Sequence, residues 1–382
     1  MKYSTFYDLF KNFSWNEIKN KIYSCDHNSV EAALRKNSRL DISDLIALLS
    51  PAAADYLDMM KEKSSLLTRK RFGNTIQMFS PMYVSNECQN ICTYCGFSLS
   101  NKIPRLTLSM SEVKEEIKII KSMGFKHILI VSGEAHKTVG MDYFIKLLNI
   151  LKSEFANISF EVQPLEMHEY QMLMQHGLYA VLVYQETYNE KNYKIHHPKG
   201  KKSNFRWRLE TPDRLGRAGI HKIGLGSLIG LEDWRTEAWH TALHLAYLRK
   251  KYWMTRFSIS FPRLRPAEGL IEPKVNISDQ ELVQLICAFR IFDENVELSL
   301  STREPAALRD QLAQLGITTM SAASKTEPGG YASSKNALKQ FEIDDSRSVD
   351  EIVKKLSSLG LEAVWKDWDN SFNSYGTQQN RA

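Results

Sequence analysis

The chain has 382 residues, of which 43% are apolar, 25% charged and 10% aromatic, and it carries a formal net charge of +6. That balance excludes a disordered tail, a collagen and a coiled coil. The length allows two or three domains of about 100–200 residues, or one barrel of roughly 250 residues with additions. The charge is modest for the size, and its densest basic stretch, 196–202, lacks the broad clustering of a nucleic-acid surface and reads as a solvated loop.

Residues 1–72 read as an N-terminal helical region, with amphipathic stretches over 15–23, 30–34 and 42–49 and a further helix opened by Pro51 toward Met60. Asp8 and Lys11 interrupt the apolar run that a signal peptide requires. The longest apolar run, 45–54, falls far short of the ~20 residues of a membrane span. A cytoplasmic, soluble protein without a membrane or nucleic-acid partner is the expectation.

From Thr75 the texture changes. β-prone runs at 75–85, 127–131, 158–162, 180–184, 222–226, 256–261, 296–300 and 317–320 alternate with helical patterns, the mark of parallel βαβ units. Eight such runs predict an α/β fold: a (β/α)8 TIM-type barrel over 73–320, followed by a C-terminal extension, 321–382, packing on the barrel. Ser109 with Glu112 and Ser278 with Glu281 form capping boxes that start helices. Met141, Phe144, Leu148 and Leu151 recur at helical spacing as a face for the sheet. Residues 349–359 read as a helix, and 362–368 finish the chain over the barrel.

In such a barrel the chemistry sits at the C-terminal ends of the strands. Those ends carry the cysteine trio, then Ser132, Gly133 and Glu134, then Gln163, then Gln185, Glu186 and Thr187, then Ser227, Arg263, Arg303 and Glu304. Of the five cysteines, Cys88, Cys92 and Cys95 share one short loop, whereas Cys25 and Cys287 stand apart and read as bystanders. Thiolates select zinc or iron–sulfur, and a structural zinc wants four ligands. Three on one loop suit a four-iron four-sulfur (4Fe-4S) cluster with one iron open. A zinc completed by Cys25 or His136 is the alternative.

The CxxxCxxC spacing, with Tyr94 before the last cysteine and the loop following the first strand of a barrel, resembles the radical S-adenosylmethionine (SAM) superfamily. The resemblance implies that Cys88, Cys92 and Cys95 hold one 4Fe-4S cluster and that SAM chelates its open iron. Ser132, Gly133 and Glu134 resemble the Gly-Gly-Glu motif that holds the SAM ammonium group, with serine replacing the first glycine. Glu186 stands where the superfamily binds ribose, Gly226 on the glycine-bearing strand beside the adenine, and Tyr94 joins the same cofactor-binding set.

From about 72 to 368 the chain is similar to the 2-iminoacetate synthase family, the tyrosine lyases of thiamine thiazole biosynthesis. The matching stretches are CGFSLS (95–100), GMDYF (140–144), EVQPL (161–165), VYQETY (183–188), WRLETPDRLGRAGI (207–220), SFPRLRP (260–266), LSLSTRE (298–304) and WKDWD (365–369). This implies cleavage of L-tyrosine to 2-iminoacetate and 4-cresol, with SAM ending as 5′-deoxyadenosine and methionine. Arg303 is then expected to hold the substrate carboxylate, with Arg263 and Arg265 as rivals, and Glu161 to help neutralise the amine. The implied partners are a flavodoxin- or ferredoxin-type electron donor and thiazole synthase. A related hydrogenase-maturation tyrosine lyase carries a second cluster on later cysteines. No cysteine follows Cys287 here, so carbon monoxide and cyanide production are not expected. A tryptophan lyase, another radical SAM enzyme and a non-catalytic zinc-binding scaffold stay open as alternatives.

Overall fold

The computed structural model describes residues 3–267, 272–333 and 339–366. Its strands are β1 (Thr75–Ser85), β2 (His127–Ser132), β3 (Asn157–Glu161), β4 (Ala180–Leu182), β5 (Lys222–Gly226), β6 (Arg256–Ser260), β7 (Glu297–Leu300), β8 (Thr319–Ser321) and β9 (Glu362–Val364). β2 to β8 pair in chain order, all parallel, and β1 pairs with both β8 and β2, which closes an eight-stranded barrel. Strands covered by helices on one face and by a filled interior on the other are buried throughout. β2 shows this directly, with every residue from His127 to Ser132 buried.

The helices between strands start where their polar residues predict. Ser109 and Glu112, and likewise Ser278 and Glu281, exchange side-chain and backbone hydrogen bonds at the heads of Met110–Ser122 and Asp279–Phe292. Such a cap stabilises a helix by roughly 1 kcal/mol. On the helix Met141–Leu151, Phe144, Leu148 and Leu151 are fully buried, while Met141 is half-buried at its edge. β4 is shorter than its apolar run, yet Val183 and Gln185 still donate to the carbonyls of Gly224 and Gly226, so the ladder with β5 continues beyond it.

The N-terminal helices Trp15–Tyr23, His27–Arg35 and Ile42–Leu48 form, preceded by Phe6–Phe10; Pro51–Tyr56 is a 3-10 turn leading into Leu57–Phe72. They cover the outer helices of the barrel. The Phe6 ring stacks on His244 at 3.7 Å, and the Trp239 indole donates to the Ile42 carbonyl at 2.9 Å, both on the buried helix Trp234–Lys251. No helix among the described residues is long and apolar enough to cross a membrane.

The C-terminal extension adds an unexpected strand. Val349–Ser358 is helical, but Glu362–Val364 then pairs in parallel with β1. Gln77 faces Thr319 of β8 on one side and Val364 on the other. β9 therefore occupies the edge of β1 that β2 takes further along, from Ser80 onward. The eleven residues of β1 make this possible by outrunning β2 at the base. Trp365 and Lys366 open the matching stretch WKDWD, and its remainder, 367–369, with the end of the expected 362–368 segment, lies outside the described residues.

Candidate active site

The loop after β1 has little regular structure, so side chains hold its backbone. Asn86 accepts from Leu106 N at 2.7 Å and donates to Pro104 O at 2.9 Å. Arg105 donates to the carbonyls of Asn86, Phe97, Ser98 and Asn101. The loop presents Cys88, Cys92 and Cys95 to one cavity, which Gly133 and Glu134 also line. Among the described residues, no three His, Cys, Asp or Glu side chains are arranged to hold a single metal ion. The three thiols line one cavity, which suits a cluster whose corner irons each take one sulfur. Burial pushes all three thiols up, Cys95 to about 11. Coordinated iron removes such protons outright.

Gly133 shows how closely β2 approaches this loop. A Cβ there would lie 2.2 Å from Glu87 O and 3.2 Å from Cys88 Cβ. Its own N–H donates to Ser85 O, and Gln89 N donates to Glu134 O at 2.9 Å. The Ser132 hydroxyl beside it is buried with no hydrogen-bond partner among the described residues.

A chain of alternating charges lines the far wall. The Glu134 carboxylate accepts from Asn90 Nδ2 and Arg208 Nη1, each at 2.8 Å. Arg208 also reaches Glu186 at 3.4 Å, and Lys202 Nζ donates to the same Glu186 oxygen at 2.7 Å. Burial alone would raise the Glu134 carboxyl, but Arg208 and Lys202 outweigh it and hold the group below its ordinary range. Glu186 has a left-handed backbone, φ +69°, rare for a residue with a side chain. Its carbonyl accepts from Leu228 N at 2.8 Å, which fixes that strained turn beside Ser227. The Tyr94 hydroxyl donates to His197 Nε2 at 2.8 Å, while His197 Nδ1 donates to Tyr193 O at 2.8 Å.

The basic stretch 196–202 is thus not a solvated loop. His196 and His197 are wholly buried, and Lys202 turns inward to Glu186, leaving Lys199 and Lys201 exposed. Gly200, at φ +95°, lets the segment lie on the cysteine loop, since a Cβ there would sit 2.1 Å from Asn90 Oδ1. Lys202 N donates to that oxygen at 3.0 Å.

A second chamber opens beside the first, lined by Tyr83, Tyr94, Glu161, Tyr184, Arg303 and Phe341, with Glu186 and Lys202 at the join. The Arg303 guanidinium stacks 3.4 Å over the Phe341 ring and donates to Arg263 O at 3.3 Å. Among the described residues it has no carboxylate partner. Its rivals are taken: Arg263 pairs with Glu304 and Asp279, and Arg265 with Glu304 and Asp344. Glu161, at the end of β3, borders both chambers. Burial and then Glu186 push its carboxyl up to about 7. Gly226 lines neither chamber. A Cβ there would meet Ser260 O at 2.8 Å and the Tyr184 ring at 3.1 Å, so the glycine gives Tyr184 room to cross β5 and donate to Ser260 Oγ at 3.0 Å.

Sequence reasoning brought together the cysteines, Ser132 to Glu134, Tyr94, Glu161, Glu186 and Arg303, but missed Arg208, Lys202, Tyr184 and Gln340. Arg208 and Tyr184 lie inside matching stretches, WRLETPDRLGRAGI and VYQETY, and that was the available signal.

Residues 82–245 match the Radical SAM superfamily, and residues 260–362 match the Biotin and Thiamin Synthesis associated domain. Over 367 residues the chain is 50% identical to 2-iminoacetate synthase of Escherichia coli (strain K12), covering 96% of this chain and 97% of that one. The chain belongs to the 2-iminoacetate synthase family. The same enzyme of Salmonella typhimurium is 49% identical over the same shares. Among solved structures, a HydG described as a maturase of the FeFe-hydrogenase superposes with a TM-score of 0.84 at 29% identity, covering 96% of this chain and 82% of that one. HydG from Carboxydothermus hydrogenoformans gives 0.84 at 31%, covering 94% and 83%. Family membership makes this chain a radical SAM enzyme, a class that works with a 4Fe-4S cluster and SAM. Three thiols around one cavity, with a glycine-tight turn and an orphaned hydroxyl beside them, fit those groups.

Proposed function

We propose that this enzyme cleaves the Cα–Cβ bond of L-tyrosine to 2-iminoacetate and 4-cresol, supplying the imine for the thiazole of thiamine. The observation that carries the reading is Arg303: a half-buried guanidinium without a carboxylate partner among the described residues, facing a chamber that adjoins the cysteine cavity. Arginine's planar fork matches a substrate carboxylate better than lysine's point charge.

Cys88, Cys92 and Cys95 hold one cluster, and Ser132, Gly133, Glu134, Glu186 and Tyr94 hold SAM, while Gly226, outside both chambers, serves by giving Tyr184 room. Bound there, the two supply one-electron, hydrogen-abstracting chemistry, with SAM ending as 5′-deoxyadenosine and methionine. The protein's own residues bind, orient and exclude water. Hydrogen abstraction at nitrogen needs a neutral amine, and Glu161, pushed up to about 7 and facing Arg303's chamber, accepts the ammonium proton. Tyr83, Tyr184 and Phe341 wall the aromatic side chain from solvent. The helical region 1–72 braces the barrel 73–320, and the extension 321–382 packs on it.

In this reading the protein works in the cytoplasm, receives electrons from a flavodoxin- or ferredoxin-type donor and delivers its imine to thiazole synthase. It engages neither nucleic acid nor membrane. The test is anaerobic reconstitution with iron and sulfide, followed by incubation with SAM, a reductant and each aromatic amino acid. 4-Cresol and 5′-deoxyadenosine appear with tyrosine and vanish in Cys92→Ala. Turnover of tryptophan alone overturns the substrate, and turnover by the Cys92 variant overturns the ligand set.

A further inference from the structure

Residues 340–345 of the C-terminal extension cross the mouth of the barrel as a strap. Gln340 N donates to Thr326 O at 3.0 Å, Glu342 N to Pro266 O at 3.1 Å and Asp344 N to Thr302 O at 3.0 Å, so three strand-end loops fasten it. Arg309 and Arg347 clamp Asp345 at its far end. At the near end Gly96 N donates to Gln340 O, and a Cβ at Gly96 would lie 2.8 Å from that oxygen. Strap and cysteine loop are thus in backbone contact next to Cys95.

The Gln340 side chain borders both chambers and joins Tyr83, which lines the second, to Cys95, which lines both. Its Oε1 accepts from the Tyr83 hydroxyl at 2.8 Å, and its Nε2 reaches Cys95 Sγ at 3.8 Å. The first bond decides the direction of the second. A phenol O–H engaging the amide oxygen turns the amide NH2 the other way, onto the sulfur. Among the described residues, no other side chain donates to a sulfur of the trio.

We propose that Gln340 is a positioning residue that raises the reduction potential of the cluster, through an amide N–H···S bond to Cys95 held in direction by Tyr83. The proposal rests on reading the trio as cluster ligands. An N–H aimed at a ligand sulfur stabilises negative charge there, and the reduced cluster carries one electron more than the oxidised one. The bond therefore favours reduction. Leucine at 340 keeps the cover that the strap gives the site and removes only the N–H, so a shift of the potential reads the bond and not the coverage.

The test is a redox titration of the reconstituted full chain, followed by electron paramagnetic resonance, without SAM or amino acid. Gln340→Leu shifts the midpoint to more negative potential, leaving roughly three- to tenfold less reduced cluster at a fixed solution potential. Tenfold corresponds to about 59 mV for a one-electron couple. Tyr83→Phe, which frees the amide to turn, shifts it the same way by less. An unchanged midpoint in Gln340→Leu at full iron content overturns the proposal. If that variant does not load iron, Tyr83→Phe decides, and an unchanged midpoint there overturns it equally. Failure of the underlying reading looks different: Cys95→Ala would then load iron as the parent does.

Discussion

The two chambers meeting at Glu161 and Glu186 settle their charges in opposite ways. In the cysteine chamber Glu134, Arg208, Glu186 and Lys202 alternate in sign and bond to one another, with Asn90 filling a remaining carboxylate site. In the adjoining chamber Arg303 and Glu161 face the space without ion-pair partners among the described residues. A buried network that satisfies itself keeps its shape whatever ligand is present. A buried, unpaired charge is unfavourable until a counter-charge arrives. The first chamber is built to be rigid before a cofactor enters, and the second is complementary to a zwitterion.

Removing one charge from each side should therefore do different damage. Arg208→Leu leaves the Glu134 carboxylate buried without its ion-pair partner, while Glu186 keeps Lys202, and the fold should lose about 3–5 kcal/mol. Chemical denaturation measures this, and a loss below about 1 kcal/mol would show that the network does not hold the chamber. Arg303→Ala should leave folding intact or slightly improved, because it removes a cation without a carboxylate partner. Its cost falls on ligand binding: tyrosine affinity drops by about 10²–10³-fold, with iron content and SAM binding unchanged. Titration calorimetry with tyrosine reads the drop, and Arg303→Lys should restore only part of it.

Glu161 sharpens the contrast through pH. Its carboxyl moves from 4.5 to about 7 in the folded protein. Between those values the unfolded chain has lost the proton and the folded chain still holds it, so stability falls as pH rises through the window and levels off above about 7. Glu161→Gln should flatten this slope, a difference of up to about 3 kcal/mol between parent and variant across the window. The same variant should lose the rise of kcat/KM with pH near neutrality. A parent profile without that rise would remove Glu161 as the proton acceptor.

The same division explains what the sequence could reveal. Cys88, Cys92 and Cys95 are legible because their chemistry is local to one loop, and the barrel strands because burial on both faces makes each an apolar run. The charge network is not local. Arg208 meets Glu134 across 74 positions and Cys95 meets Gln340 across 245, separations that no window of sequence captures. The basic look of 196–202 misled for the same reason: a lysine count says nothing about Glu186 waiting inside. β9 was missed because its three residues carry too little pattern, and the open edge of β1 decides their conformation.

The smallest effect probes an atom in the cysteine chamber that the network leaves out. Ser132 Oγ is buried without a partner among the described residues, at a position where the resembling motif has glycine. Ser132→Ala removes an unsatisfied hydroxyl, and the cofactor-free protein should gain up to about 1 kcal/mol. If this hydroxyl is where SAM completes the chamber, SAM affinity should fall by roughly three- to tenfold in the same variant. Thermal unfolding and equilibrium dialysis separate the two effects. A gain in stability with unchanged SAM affinity would mean that the first chamber is closed at this position, and that its recognition of SAM runs through Gly133 and Glu134 alone.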